Sequence, residues 1–190
     1  QTAYLKTYYE HEFMAAMLSS ESHKIEAVAT YIDEARAMGI EILPPHVNTS
    51  QTNFSVIIDS NGKKKIVFGL NAIKGAGEGA LQGIIDDRKQ KGAFKNLEDF
   101  ITKADFKRIS KKVLEPLVKS GSLDNLGYTR ASMLDNLDYI CDLGRRMSRE
   151  RSGGGLFGAE ELCPELQIKP LPELHNKSLL EYEYESLGIY

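Results

Sequence analysis

Residues 68–80 read FGLNAIKGAGEGA, which is a turn's worth of helix, a Gly-x-Gly break and the opening of a second helix. Such a break suits one kind of chemistry. Glycine lets the backbone turn sharply and come close to a ligand with no Cβ in between. A helix start offers unpaired N–H groups and the positive end of its dipole, which together attract an anion such as a phosphate. Lys74, Gly75, Ala76, Gly77, Glu78 and Gly79 therefore form the first candidate phosphate-binding set, backbone donors with one mobile ammonium beside them. The same glycines also suit a purely structural turn between two helices. A dinucleotide-binding loop opens with Gly-x-Gly too, but it needs a β-α-β unit in a parallel sheet. The pattern here offers an antiparallel hairpin instead.

A second unit of similar shape follows, with short helices expected over residues 97–103 and 110–120 and a connector over 104–109. It lacks Gly-x-Gly, so any phosphate contact falls to Lys107, Arg108, Lys111 and Lys112, the last two in the first turn of a helix. Two such units pack as a tandem helix-hairpin-helix domain whose turns reach phosphates on both strands of a duplex. Charge agrees with this placement. Residues 63–119 carry fourteen Lys and Arg against seven Asp and Glu, while the rest of the chain carries ten against twenty, for a net charge of −3. A local basic zone is the footprint of a phosphate contact, although a solvated lysine-rich face has the same composition.

Other chemistries find no support. Cys141 and Cys163 form no Cys-x-x-Cys pair, and His11, His23, His46 and His175 are dispersed, so neither a disulfide framework nor a zinc site is expected. No catalytic residue and no metal ligand is assigned. The acidic runs at Asp86-Asp87 and from Glu181 to Glu185 read as solvated faces rather than a metal site. No apolar run approaches the ~20 residues of a membrane span. With no export signal visible, the expected location is the cytoplasm. The chain begins at Gln1 rather than Met, inside an expected helix, which reads as a segment cut from a longer protein.

The elements that must position these residues are mainly helical. Leu5, Tyr9, Phe13 and Met17 predict one amphipathic helix, and Ile25, Val28, Ile32 and Ala35 a second, closed by Gly39. Pro44-Pro45 holds the next stretch extended. Phe54, Val56 and Ile58, the Asn61-Gly62 turn and Ile66-Val67-Phe68 predict a β-hairpin. A helix over residues 78–90 buries Leu81, Ile84 and Ile85 and stops at Gly92. Asn96 and Ser110 are expected N-caps, and Gly121 an expected C-cap. Pro116 should kink or shorten its helix. One long helix is expected from Thr129 to Arg149 with Leu134, Leu137, Ile140 and Met147 inward, then a flexible glycine break at Gly153-Gly154-Gly155. Beyond it a linker-like stretch leads to a short element near Leu179. The fold class is mainly α with one small antiparallel β-hairpin and a tandem helix-hairpin-helix domain.

Longer strings sharpen the reading. Gln1-Thr2-Ala3-Tyr4-Leu5-Lys6, Glu12-Phe13-Met14-Ala15-Ala16, Tyr31-Ile32-Asp33-Glu34, Met38-Gly39-Ile40 and Leu43-Pro44-Pro45 come in order, ahead of residues 68–75. Lys112-Val113-Leu114-Glu115, Ser120-Gly121-Ser122-Leu123-Asp124 and Leu187-Gly188 continue the series. Together they resemble successive landmarks of the bacterial DNA polymerase III alpha subunits, the replicative C-family polymerases. The resemblance implies that residues 1–67 are distal fingers, 68–128 the tandem domain on nascent duplex, and 129–190 a long helix and clamp tether. It places the catalytic aspartates, with their Mg, in a palm upstream of residue 1, along with the fingers segment beside the incoming nucleotide. It also implies a sliding-clamp peptide, typically Gln-x-x-Leu-Phe, at Gly153, Gly154, Gly155, Leu156 and Phe157, with Gly153 standing where that pattern has Gln. Leu156 and Phe157 could equally tuck into the domain's own surface.

The implied role is non-catalytic DNA positioning and processivity, with primer-template duplex, sliding clamp and the rest of the polymerase III holoenzyme as partners and no membrane. The chain alone should not polymerise. A protein-interaction scaffold in the replisome with little direct DNA binding is the alternative. A stand-alone repair enzyme lacks any catalytic constellation here.

Overall fold

The computed structural model describes residues 2–152 and 165–189. Three helices open the chain: α1 (Thr2–Tyr8), α2 (Glu10–Ser20) and α3 (Ile25–Ala37). The single amphipathic helix expected before residue 20 is broken at Tyr9, whose φ of −135° and ψ of 53° leave the helical region. The predicted stripe holds only in part, with Phe13 half-buried against the core. Leu5 and Tyr9 are exposed, and the buried face of α2 is Met14, Ala15 and Leu18. The sheet beneath α2 selects that face, so tertiary packing overrides the local spacing. Residues Val28, Ile32 and Ala35 of α3 do point inward. After α3 the Gly39 N–H bonds the Arg36 carbonyl (2.9 Å) and the Ile40 N–H bonds the Ala35 carbonyl (2.9 Å). These are the two bonds of a Schellman cap, with Gly39 at positive φ.

The expected hairpin forms from β2 (Ser55–Ile58) and β3 (Lys64–Val67), antiparallel, with Val56 opposite Ile66. A strand not anticipated as such, β1 (Ile42–Leu43), pairs parallel with β3, so the sheet order is β1-β3-β2. Pro44 and Pro45 end β1 after two residues, because proline has no N–H to continue a ladder.

Next come a 3-10 turn (Leu70–Ala72), α4 (Glu78–Lys91), α5 (Leu97–Lys103) and α6 (Lys111–Lys119). Leu81, Ile84 and Ile85 are buried as expected, and the Asn96 side chain caps α5 by accepting the Asp99 N–H at 2.8 Å. Ser110 precedes α6 without a side-chain cap bond, and α6 continues past Pro116 to Lys119. The expected long helix is two, α7 (Arg130–Asp135) and α8 (Leu137–Ser152). The break falls at Asn136, whose Nδ2 donates to the Ser132 carbonyl at 2.9 Å. An asparagine side chain competing for backbone groups is the usual reason a helix ends there.

Residues 165–175, ahead of α9 (Asn176–Leu187), have no regular structure, yet they are pinned to α7. The Thr129 hydroxyl donates to the Leu171 carbonyl (2.9 Å), the Leu171 N–H donates to Ser132 Oγ (2.8 Å), and Glu173 accepts the Arg130 N–H (3.0 Å). Buried residues from Met14 to Leu187 join in one cluster. Within it Phe94, Phe100 and Phe106 stack edge to face, at 5.1 and 5.7 Å between successive rings.

Gly144 on α8 faces the last of these rings. A Cβ there would lie 2.2 Å from Phe106 Cγ. Alanine is ordinarily the better helix former by about 1 kcal/mol, but Phe106 is fully buried and has nowhere to go. Gly144→Ala should therefore lower stability by about 1–3 kcal/mol. Gly79→Ala, where a Cβ meets nothing within 4 Å, should be neutral or mildly stabilising. Urea titrations of the two variants check the contrast.

Candidate nucleic-acid interface

The turn between the 3-10 segment and α4 is built on alternate exposure. Gly75 and Gly77 take φ of +80° and +68°, which only glycine adopts readily, and both face solvent. Between them the Ala76 methyl is fully buried and fastens the turn to the core. No described atom lies within 4 Å of where a Gly77 Cβ would sit, so the backbone here is open to an approaching ligand. Among the described residues, nothing accepts the N–H groups of Gly77, Glu78 and Gly79 at the start of α4. Glu78 places a carboxylate in the same turn, which works against an anion unless the side chain swings clear.

Beside the turn lies an open cavity of about 400 Å³. Lys74 and Gly75 come to it from the turn, Lys112, Glu115, Pro116 and Lys119 from α6, and Glu185 and Ser186 from α9. The structure thus brings Lys74, Gly75 and Lys112 together. Among the described residues, neither Lys74 nor Lys112 has an ion-pair partner. The other basic candidates sit elsewhere. Lys111 is paired with Asp138 on α8 at 2.7 Å, and that contact raises its pKa. Lys107 lines a separate cavity with Asp87, Asp105 and Arg151, and Arg108 lies 3.7 Å from Asp105. The clamp-peptide candidates, Gly153 to Phe157, lie outside the described residues.

Residues that sequence reasoning passed over complete the site. Lys119 Nζ is 3.0 Å from both Glu115 and Glu185 and lies 5.0 Å from the centre of the Tyr182 ring. Burial works against its charge, but the two carboxylates outweigh burial and raise its pKa. The Lys74 N–H donates to the Ser186 carbonyl at 2.9 Å, so α9 closes one side of the turn. Glu185 thus pairs with Lys119 while its side chain stays 62% exposed, and Glu183 pairs with Arg130. Asp87 likewise pairs with Lys91 and accepts the Asp105 N–H at 2.9 Å. No group of acidic, His or Cys side chains among the described residues could hold a metal ion, and no described helix is long and apolar enough to cross a membrane.

Comparison with known proteins agrees with this geometry. The helix-hairpin-helix motif family matches residues 39–133, half of the chain, including the turn and the α6 wall of the cavity. The chain belongs to the helix-hairpin-helix family. Over its full length it is 57% identical to the DNA polymerase III subunit alpha of Helicobacter pylori, of which it covers 17%. Identity is 43% to the subunit of the same name from Thermus aquaticus (15% covered) and 41% to that of Campylobacter jejuni (16% covered). The chain thus spans about a sixth of the length of these relatives.

In this helix-hairpin-helix protein a buried arginine ties together the end of α6, the turn after it and α9. Arg130 is 7% exposed. Its Nε and Nη2 donate to the two Asp124 carboxylate oxygens at 2.9 and 2.7 Å, and its Nη1 reaches the Lys119 carbonyl at 3.2 Å and Glu183 at 2.8 Å. Burial disfavours the charge, yet Asp124 and Glu183 more than restore it, so its pKa is raised. Gly121 leaves room for the guanidinium, because a Cβ there would stand 2.3 Å from Nη2. Replacing Arg130 with Met should cost about 2–3 kcal/mol, below the upper range for broken buried pairs because Asp124 keeps some water. Guanidinium denaturation measures this, and a loss within 0.5 kcal/mol of zero would show that the guanidinium holds nothing together.

Proposed function

We propose that this chain grips the phosphate backbone of duplex DNA, without reading sequence, as the non-catalytic positioning segment of a replicative polymerase. One observation carries the reading: an open positive-φ turn with unbonded amides shares a cavity with Lys74 and Lys112, two ammonium groups with no carboxylate partner among the described residues. Amides at a helix start and unpaired lysines are the donors that a phosphodiester needs. The relatives are named as DNA polymerase III alpha subunits, which supplies the polymerase context. We extend the same reading to a cytoplasmic location, with the rest of the holoenzyme as partner.

Electrophoretic titration with primed and blunt duplex at several salt concentrations tests the proposal. Two or three phosphate contacts give a log K against log salt slope of about −2 to −3. Lys74→Ala with Lys112→Ala should flatten that slope by roughly 0.9 for each lysine. A flat dependence in the parent, or a double variant that binds as well as the parent, defeats the reading and favours a protein-docking scaffold.

Clamp tethering is the finer part of the proposal. Leu156 and Phe157 follow three glycines, a sequence suited to a flexible two-residue anchor. Ordering those glycines costs about 1–2 kcal/mol each, so binding of a peptide spanning residues 152–160 to the sliding clamp of its own organism should be micromolar or weaker by calorimetry. Replacing Leu156 and Phe157 with Ala should abolish it. Gly153→Gln should strengthen it by about 0.5–1.5 kcal/mol through a restored polar contact. Equal binding by the double-Ala peptide would place the tether elsewhere.

A further inference from the structure

Lys119 stands on the wall of the cavity that holds Lys74 and Lys112, but its ammonium is already engaged. Glu115 is one turn earlier on the same helix and accompanies Lys119 in any state of α6. Glu185 is different, because it arrives from α9 and its side chain is 62% exposed. The group Glu115, Lys119 and Glu185 thus carries two negative charges to one positive, and this excess faces the place where a phosphate would sit.

The Lys119 side chain is only 16% exposed, but an ion pair whose acidic partner stands in water contributes little to stability and exchanges partners readily. A backbone phosphodiester is a competent replacement, since it too presents a single negative charge shared by two oxygens. The exchange does not require α9 to leave. The Lys74 N–H is bonded to the Ser186 carbonyl, a main-chain contact that persists while the Glu185 side chain turns into solvent.

We propose that Lys119 is a third phosphate ligand of the hairpin, held in reserve by Glu185, and that Glu185 thereby sets the affinity and salt sensitivity of the site. This rests on the DNA-backbone reading above. Glu185 is a positioning residue here, acting only through Lys119. In the parent, freeing Lys119 obliges Glu185 to take up a cation from solution, which cancels the counterion released from DNA. Without that carboxylate the release appears in full.

The test is a double-mutant cycle on the 190-residue chain: parent, Glu185→Gln, Lys119→Gln and the pair, each titrated with duplex DNA across a salt series. Circular dichroism confirms the fold of each. Glu185→Gln should tighten binding about two- to fivefold at low salt and steepen the slope by roughly 0.9. In the Lys119→Gln background the same substitution should change neither. Glu181→Gln, on the same helix but away from Lys119, should leave the slope unaltered. An equal gain with and without Lys119 makes Glu185 a general surface charge and overturns the assignment, as does no gain at all. The Lys74→Ala, Lys112→Ala protein is run alongside. If it binds as the parent does, the DNA-backbone reading falls and takes Lys119 with it. If it is weakened while Glu185→Gln is silent, only the Lys119 assignment falls.

Discussion

A guanidinium keeps its charge at any ordinary pH and carries five N–H donors, so a chain that buries one must bring acceptors to it from several directions. Arg130 is that constraint here. Asp124 reaches it from the turn after α6, the Lys119 carbonyl from the end of α6 itself, and Glu183 from α9. Two of these elements, α6 and α9, border the cavity. With Asp124 held, the Gly121–Asp124 turn has one geometry, and the Val47 N–H can donate to the Ser122 carbonyl at 2.9 Å. With Glu183 held, α9 lies where Ser186 can accept from Lys74. Charge satisfaction at one buried side chain therefore positions both ends of the helix-hairpin-helix region.

Features carried by near neighbours were readable from sequence. The Gly39 and Gly92 stops, the Asn96 cap, the β2–β3 hairpin and the inward face of α4 all depend on residues within a few positions of each other. What escaped depends on distant partners. The stripe from Leu5 to Met17 is a valid helical period, but only the sheet packed beneath α2 decides that Met14, Ala15 and Leu18 turn inward. Strand β1 has two residues and exists only because β3 offers it a free edge. The break at Asn136 turns on one side-chain bond to Ser132, in a residue type that a helix tolerates at modest cost.

The site divides along the same line. The Gly-x-Gly turn with Lys74 is local and legible. Lys111 and Lys112 look equivalent in sequence, yet neighbours on a helix point about 100° apart. One faces Asp138 and the other the cavity, which no spacing argument could distinguish. Nor could the acidic run in α9 be recognised as the counterpart of the basic zone. In the fold it neutralises part of that zone, so the effective positive charge is narrower than composition suggests.

The bond between the Lys74 N–H and the Ser186 carbonyl joins positions 112 residues apart (186 − 74). On a ribosome adding about 5–20 residues each second, some 6–22 s separate the emergence of the two partners. During that interval the hairpin turn is present but one of its sides is open to water, and the basic face of α6 has no Glu185 beside it. The nascent chain thus passes through a period in which its lysines are less neutralised than they will ever be again, while polyanionic RNA surrounds it. Docking of α9 closes that side of the turn and brings Glu185 beside Lys119.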